Sequence, residues 1–206
     1  MGNLLKYSAV AIIGLAMVAC GDDDEKEDDL ISGGHEAVDL GLSVKWATSN
    51  VGGEQPDDFG GYYAWGETEE KEDYSKANYH ELNPDNKYMD ISGSDYDVAH
   101  VKWGGKWRMP TIDEFQELVR SCNWEWEITE GVSGYKVTGP NGNSIFLPAA
   151  GRIGGKFNPY LNDSGWYWTS TDKGLGSRFI IFGEEYIDTK GDGWSDYGMS
   201  VRAVVD

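Results

Sequence analysis

The sequence is poor in cysteine, with only Cys20 and Cys122 among 206 residues. A disulfide framework is thereby excluded, and an apolar core has to hold the fold. Neither C-x-x-C nor H-x-x-x-H occurs, and His35, His80 and His100 lack the spacing of metal ligands. G-x-S-x-G, the P-loop and G-x-G-x-x-G are missing too. Their absence removes the usual signals for a serine nucleophile and for nucleotide phosphates. Cations are scarce: 17 Lys and Arg stand against 36 Asp and Glu, for a net charge of −19. Nucleic acid and anionic membrane surfaces are poor partners for such a charge. No metal, no cofactor and no nucleic-acid partner is expected, and the chain reads as a non-enzyme. Neutral glycans, cations and basic proteins remain as ligand classes. Carboxylates are so abundant that pairing any two as acid and base carries no information without geometry.

Glycine (28), tyrosine (12) and tryptophan (9) are plentiful instead. That mixture points away from a helical bundle. It predicts many turns, short strands and large aromatic side chains filling an irregular core.

The N-terminal 19 residues carry one cation, Lys6, followed by an apolar stretch over 9–19. The stretch falls short of the roughly 20 residues needed to span a bilayer. Its layout is that of a secretory signal peptide. "LAMVAC" (15–20) resembles the lipobox of bacterial lipoproteins, with Met17 where a branched residue is usual. The resemblance implies acylation of Cys20, with 1–19 removed. Residues 22–29 hold seven acids and one lysine, a block that stays solvated and extended. It reads as part of a flexible tether over 20–34. It is also similar to the acidic export tag of surface lipoproteins in the Bacteroidetes. Taking away the −6 of this run and the +1 of Lys6 leaves about −14 on the remaining domain, 35–206.

Along that domain, Val38, Leu40, Leu42, Val44 and Trp46 alternate with polar residues. The pattern predicts a half-buried strand, which 41–43 can fold into a hairpin. "GGYYAWGE" (60–67) reads as an aromatic strand and 68–97 as a polar surface excursion. A short helix is predicted from Ser94 or Asp95, as cap, to a stop at Gly104. The clearest helix starts after Thr111, with Glu114 completing a capping box and Ile112, Phe115, Leu118 and Val119 on one stripe. Cys122 closes it as a small half-buried hydrophobe rather than a nucleophile. "YKVTGPNGNSIFLPAAG" (135–151) predicts strand, turn, strand, with the turn at 139–142. Further strands are predicted at 166–171, 178–187 and 199–205. In the last, Met199, Val201, Ala203 and Val205 share a face. The sum is an α+β domain of two short helices and mostly antiparallel strands.

Two stretches carry a family resemblance. "DVAHVKWGGKWRMPTIDEFQEL" (97–118) resembles the helix, Trp-Gly turn and R-M-P-T-x-x-E-F helix start of formylglycine-generating-enzyme-like proteins. It is more similar still to the Fibrobacter succinogenes major paralogous domain of Bacteroidetes lipoproteins. "GWYWTST" (165–171) and "GMSVRAVV" (198–205) resemble that domain's closing strands, and "VDLGLSVKWATSNVG" (38–52) its opening. The resemblance implies a C-type-lectin-like fold on an outer-membrane, lipid-anchored protein that faces the cell exterior. The chain departs from the enzymes where their copper-binding C-terminal cysteines would stand, since no cysteine follows Cys122. Their oxidase chemistry is therefore not carried over. A structural cell-envelope or pilus-tip component is a third reading.

The expected ligand edge lies in the last third. Two connections, 172–177 and 188–198, carry Asp172, Asp188, Asp192, Trp194, Asp196 and Tyr197. "DTKGDG" (188–193) resembles a calcium loop in its carboxylates, Asp188 and Asp192, and its glycines, but it lacks the spacing and closing Glu of an EF-hand and reads first as a tight acidic turn. Trp194 and Tyr197 sit in a predicted loop, where core packing does not demand them. Aromatic faces beside carboxylates suit stacking on sugar rings or anchoring a protein partner. In C-type-lectin-like folds this edge commonly carries the ligand surface.

Overall fold

A computed structural model of the protein describes residues 30–31, 34–85, 87–174 and 176–206. The expected signal peptide, Cys20 and most of the tether lie outside the described residues. In chain order the elements begin with β1 (Leu30–Ile31), β2 (His35–Val38), β3 (Lys45–Ala47), β4 (Tyr88–Asp90), α1 (Val98–Trp103) and α2 (Ile112–Ser121). Then follow β5 (Asn123–Thr129), β6 (Val132–Thr138), β7 (Ser144–Pro148), β8 (Ser164–Lys173), β9 (Ser177–Gly183), β10 (Tyr186–Asp192) and β11 (Val204–Val205). The described strands form three sheets, ordered β1-β2-β3-β11, β10-β9-β8-β4 and β5-β6-β7. Every pairing within them is antiparallel. The fold is α+β and mostly β.

The middle sheet divides the core. Trp166 and Trp168 of β8, with Phe179 of β9, join a cluster containing Trp65, Trp103, Trp107, Met199, Val201, Ala203 and Val205. Tyr167, Ile180 and Phe182 point the other way, into a cluster with Trp46, Phe115, Leu118, Val137 and Leu147. Alternation with period two thus serves two cores at once, because β8 is buried from Ser164 to Asp172.

Local signals account for much of this. Thr111 Oγ1 accepts the Glu114 amide at 3.2 Å while a Glu114 oxygen accepts the Thr111 amide at 2.7 Å, so the capping box is complete. Ile112, Phe115 and Leu118 are buried and Val119 half-buried. Residues 38–46 form the hairpin alternative, with Ala37 opposite Ala47 and the turn containing Gly41 at φ +75°. The 139–142 turn joins β6 to β7 as expected.

Other expectations need correction. Helix α1 is capped by Asp97, not Ser94 or Asp95, and Gly104 at φ +71° ends it. "GGYYAWGE" is not a strand. Gly60 and Gly66 take left-handed φ values of +73° and +78°, which leaves one bridge, Tyr63 to Met199. The excursion at 68–97 supplies edge strand β4 and buries Tyr74 and Ile91. "SRFIIFGEEYID" is a hairpin, not one strand: Gly183 pairs with Tyr186 around a two-residue turn. Of 199–205 only Val204–Val205 is laddered strand. Met199 instead exchanges two backbone bonds with Tyr63, and Val201 and Ala203 each accept one, from Val51 and Ala47, although their side chains do share the first core. Strand β5, with Trp124, Trp126 and Ile128 alternating against Glu125 and Glu127, was not anticipated.

Candidate functional site

Strand β10 runs to Asp192, four residues beyond the start of the expected loop. Gly193 at φ +83° and Trp194 at φ +50° then reverse the chain, and the Tyr197 amide donates to the Trp194 carbonyl at 2.8 Å. The Gly198 and Ile153 backbones exchange hydrogen bonds at 2.9 and 2.8 Å. That exchange seats Arg152 beside the Trp194 turn. The Asn158 Oδ1 accepts the Arg152 amide at 3.1 Å, which fixes the loop from its other side.

The result is an arginine inside an aromatic cage. The Arg152 guanidinium carbon lies 4.4 Å from the Tyr197 ring centre, 4.7 Å from Trp166, 5.0 Å from Trp194 and 5.1 Å from Tyr160. Each such contact is worth about 0.5–2 kcal/mol, more as water is excluded. The Arg152 Nε is buried and has no hydrogen-bond partner among the described residues. Trp194 stacks on Tyr197 (centroids 5.6 Å apart) and on Phe179 (5.9 Å apart). It nevertheless remains 48% exposed, while Tyr197 is half-buried against the first core.

Trp194 is unusual among its kind here. Among the described tryptophans it alone has a positive φ, and it alone counts among the exposed large hydrophobic side chains. A bulky side chain with φ near +50° is a backbone outlier costing roughly 1–2 kcal/mol, which surrounding structure has to sustain. A groove of about 350 Å³ abuts Trp194, lined also by Lys76, Tyr79, Glu81, Ser195 and Asp196. The Tyr79 hydroxyl donates to Trp65 O at 3.1 Å, and burial pushes its pKa up, so it stays protonated.

Trp194 and Tyr197 are therefore brought together as expected, but the carboxylates do not form one cluster with them. Asp172 is buried and accepts the Gly174 amide at 2.7 Å. Asp188 lies on the exposed face of β10 and accepts the Lys190 amide at 2.8 Å. Asp192 pairs with Arg178 at 3.1 Å. Asp196 alone lines the Trp194 groove. The acidic turn at 188–193 is a bulged strand, its register shifting between Asp188 and Gly191. Among the described residues no group of three or more His, Cys, Asp or Glu is placed to hold a metal ion.

No family model, curated protein or solved structure gives a significant match to this chain. The site accordingly rests on its own geometry. Sequence reasoning missed Arg152, Tyr160 and Trp166. The available signal was an arginine between glycines, "AAGRIGG", in a chain short of cations. A larger groove of about 610 Å³ lies between Trp126, Ile128 and Tyr186. It is lined by Glu127, Asp163, Glu184 and Glu185 without a cation, and Trp126 packs edge-on against Tyr135. Cys122 caps the end of α2, half-buried, and burial pushes its thiol pKa up, which leaves little thiolate to act as a nucleophile.

Proposed function

We propose that this chain is a lipid-anchored outer-membrane protein whose C-type-lectin-like domain binds a glycan, without catalysis, at the Trp194 edge. One observation carries the binding reading. An indole is held half-exposed in a strained backbone conformation, beside a groove and backed by a cage of aromatic rings. Strain of this kind persists at ligand sites because the surroundings over-determine it. A half-exposed indole suits the apolar face and hydroxyls of a sugar. The groove fits a sugar residue or two, being of ligand-pocket size. The lipobox-like "LAMVAC" and the acid run that follows support the anchor and the outward display.

Trp194→Gly tests the site. Glycine accepts φ +50° freely, so relief of about 1 kcal/mol offsets part of the lost packing. The melting midpoint should move little, while affinity for a glycan identified on an array falls on the order of tenfold or more. Unchanged affinity would sink the reading, and binding of a surface protein in place of any glycan would redirect it. Cys20→Ser tests the anchor separately. The variant should leave the membrane fraction on cell fractionation, and retention there with the wild type would rule the anchor out.

A further inference from the structure

The chemistry of the cage goes one step beyond a neutral sugar site. Of the other described arginines, Arg108 and Arg178 sit against carboxylates, Arg202 is enclosed by neutral oxygens and Arg120 is exposed to solvent. Arg152 makes neither an ion pair nor a side-chain hydrogen bond among the described residues, in a chain with twice as many acids as bases. Four rings surround the guanidinium at 4.4–5.1 Å, and its side-chain donors meet no oxygen acceptor among the described residues. A half-buried guanidinium so presented lacks a planar, bidentate acceptor, which is the geometry of a carboxylate.

Building on the glycan reading, we infer that the Arg152 cage recognises the carboxylate of a terminal acidic sugar whose ring stacks on Trp194. The guanidinium carbon lies 5.0 Å from the Trp194 ring centre, so stack and ion pair are adjacent. A pyranose bearing its carboxylate directly on the ring makes both contacts with one residue. The groove on Trp194 is different in character. Asp196 and Glu81 line it and accept hydroxyls, with Lys76 and the Tyr79 edge beside them. An otherwise neutral chain suits that side. The net charge of about −14 on the domain repels a polyanion, so a single acid residue fits better than a repeating one.

The experiment compares matched oligosaccharides with a neutral or an acidic end, glucose against glucuronate and galactose against sialylated galactose, by titration with the full-length chain. Wild type is expected to bind at least one acidic member on the order of tenfold tighter than its neutral partner, the increment of a charge-assisted hydrogen-bond pair. Arg152→Gln should erase that preference, read as the ratio of acidic to neutral affinity. Arg152→Lys, which keeps the charge and loses the fork, should restore only part of it. Near-ultraviolet circular dichroism of both variants checks that the tryptophan cluster is intact, and Arg152→Lys alone carries the test if Arg152→Gln disturbs it. Trp194→Gly should lose both members of the pair. Equal affinity for acidic and neutral ends, or a preference that survives Arg152→Gln, overturns the acid-sugar inference and leaves the Trp194 reading standing. Capture of a peptide carboxylate with no acidic glycan bound overturns both.

Discussion

Arg202→Met is expected to be among the most destabilising single changes in the domain, at about 4 kcal/mol or more. Arg202 is fully buried in the segment between β8 and the first sheet, and among the described residues no carboxylate pairs with it. Its Nε donates to Asn50 Oδ1 at 2.9 Å, its two amino groups to the carbonyls of Ala47 (3.0 Å), Thr48 (2.6 Å) and Phe146 (2.8 Å). One side chain thereby ties β3, the loop after it and β7 together. Methionine fills the volume but strands four acceptors, and each orphan costs about 1–3 kcal/mol. Burial pushes the guanidinium pKa down to about 10. The sign follows: between about pH 10 and the unperturbed value the unfolded chain binds the proton more strongly. The burial penalty therefore eases only as pH rises through that window, and it is constant across the neutral range. Arg202→Lys cannot replace the fork and should cost about 2 kcal/mol or more. Urea melts at pH 7 measure all three chains. A loss below about 1 kcal/mol for Arg202→Met would mean that the cost of burying the charge outweighs the four bonds.

Asp97→Asn is the second large effect, expected at about 3 kcal/mol despite its near-identical shape. One carboxylate oxygen caps α1, accepting the Ala99 and His100 amides at 2.9 and 3.1 Å. The other accepts the Gly93 and Met109 amides at 2.9 and 2.8 Å. All four partners are donors, and the residue is fully buried. An amide side chain has only one acceptor oxygen, so its NH₂ must face two N–H groups whichever way it is turned. Burial pushes the Asp97 carboxyl pKa up, and the four amides pull against that shift. Thr111→Ala is the internal standard. Thr111 accepts a single amide at its helix start, and its loss should cost about 1 kcal/mol. Denaturant melts in which Asp97→Asn costs no more than Thr111→Ala would show that the tie to Gly93 and Met109 contributes nothing.

These two residues also mark where the sequence stops being legible. Thr111 and Glu114 are three positions apart, so their box is a local fact that a linear reading finds. Asp97 binds Met109 twelve residues on, a reach no local pattern reveals, and it caps α1 in place of Ser94 or Asp95. Strand β5 was readable, because its tryptophans and glutamates alternate strictly, yet it follows α2 without a turn signal. The hairpin of β9 and β10 hid for the opposite reason: its turn uses two glutamates where glycine or asparagine usually announces a reversal. The candidate site divides the same way. Loop aromatics at 194 and 197 stand out against their neighbours. The cage draws Arg152, Tyr160 and Trp166 from two further segments, and the pairings of 153 with 198 and of 151 with 165 bring them together.

Strand β10 has one more bearing. It is the outer strand of its sheet, with an unpaired edge. Tyr186, Asp188, Lys190 and Asp192 all face solvent along it, and the bulge between Asp188 and Gly191 breaks its regular spacing. Alternating charge and a kinked backbone are what keep a foreign strand from adding to a sheet. Copies of this domain crowded side by side are thus held apart at the edge where cross-β growth would otherwise begin.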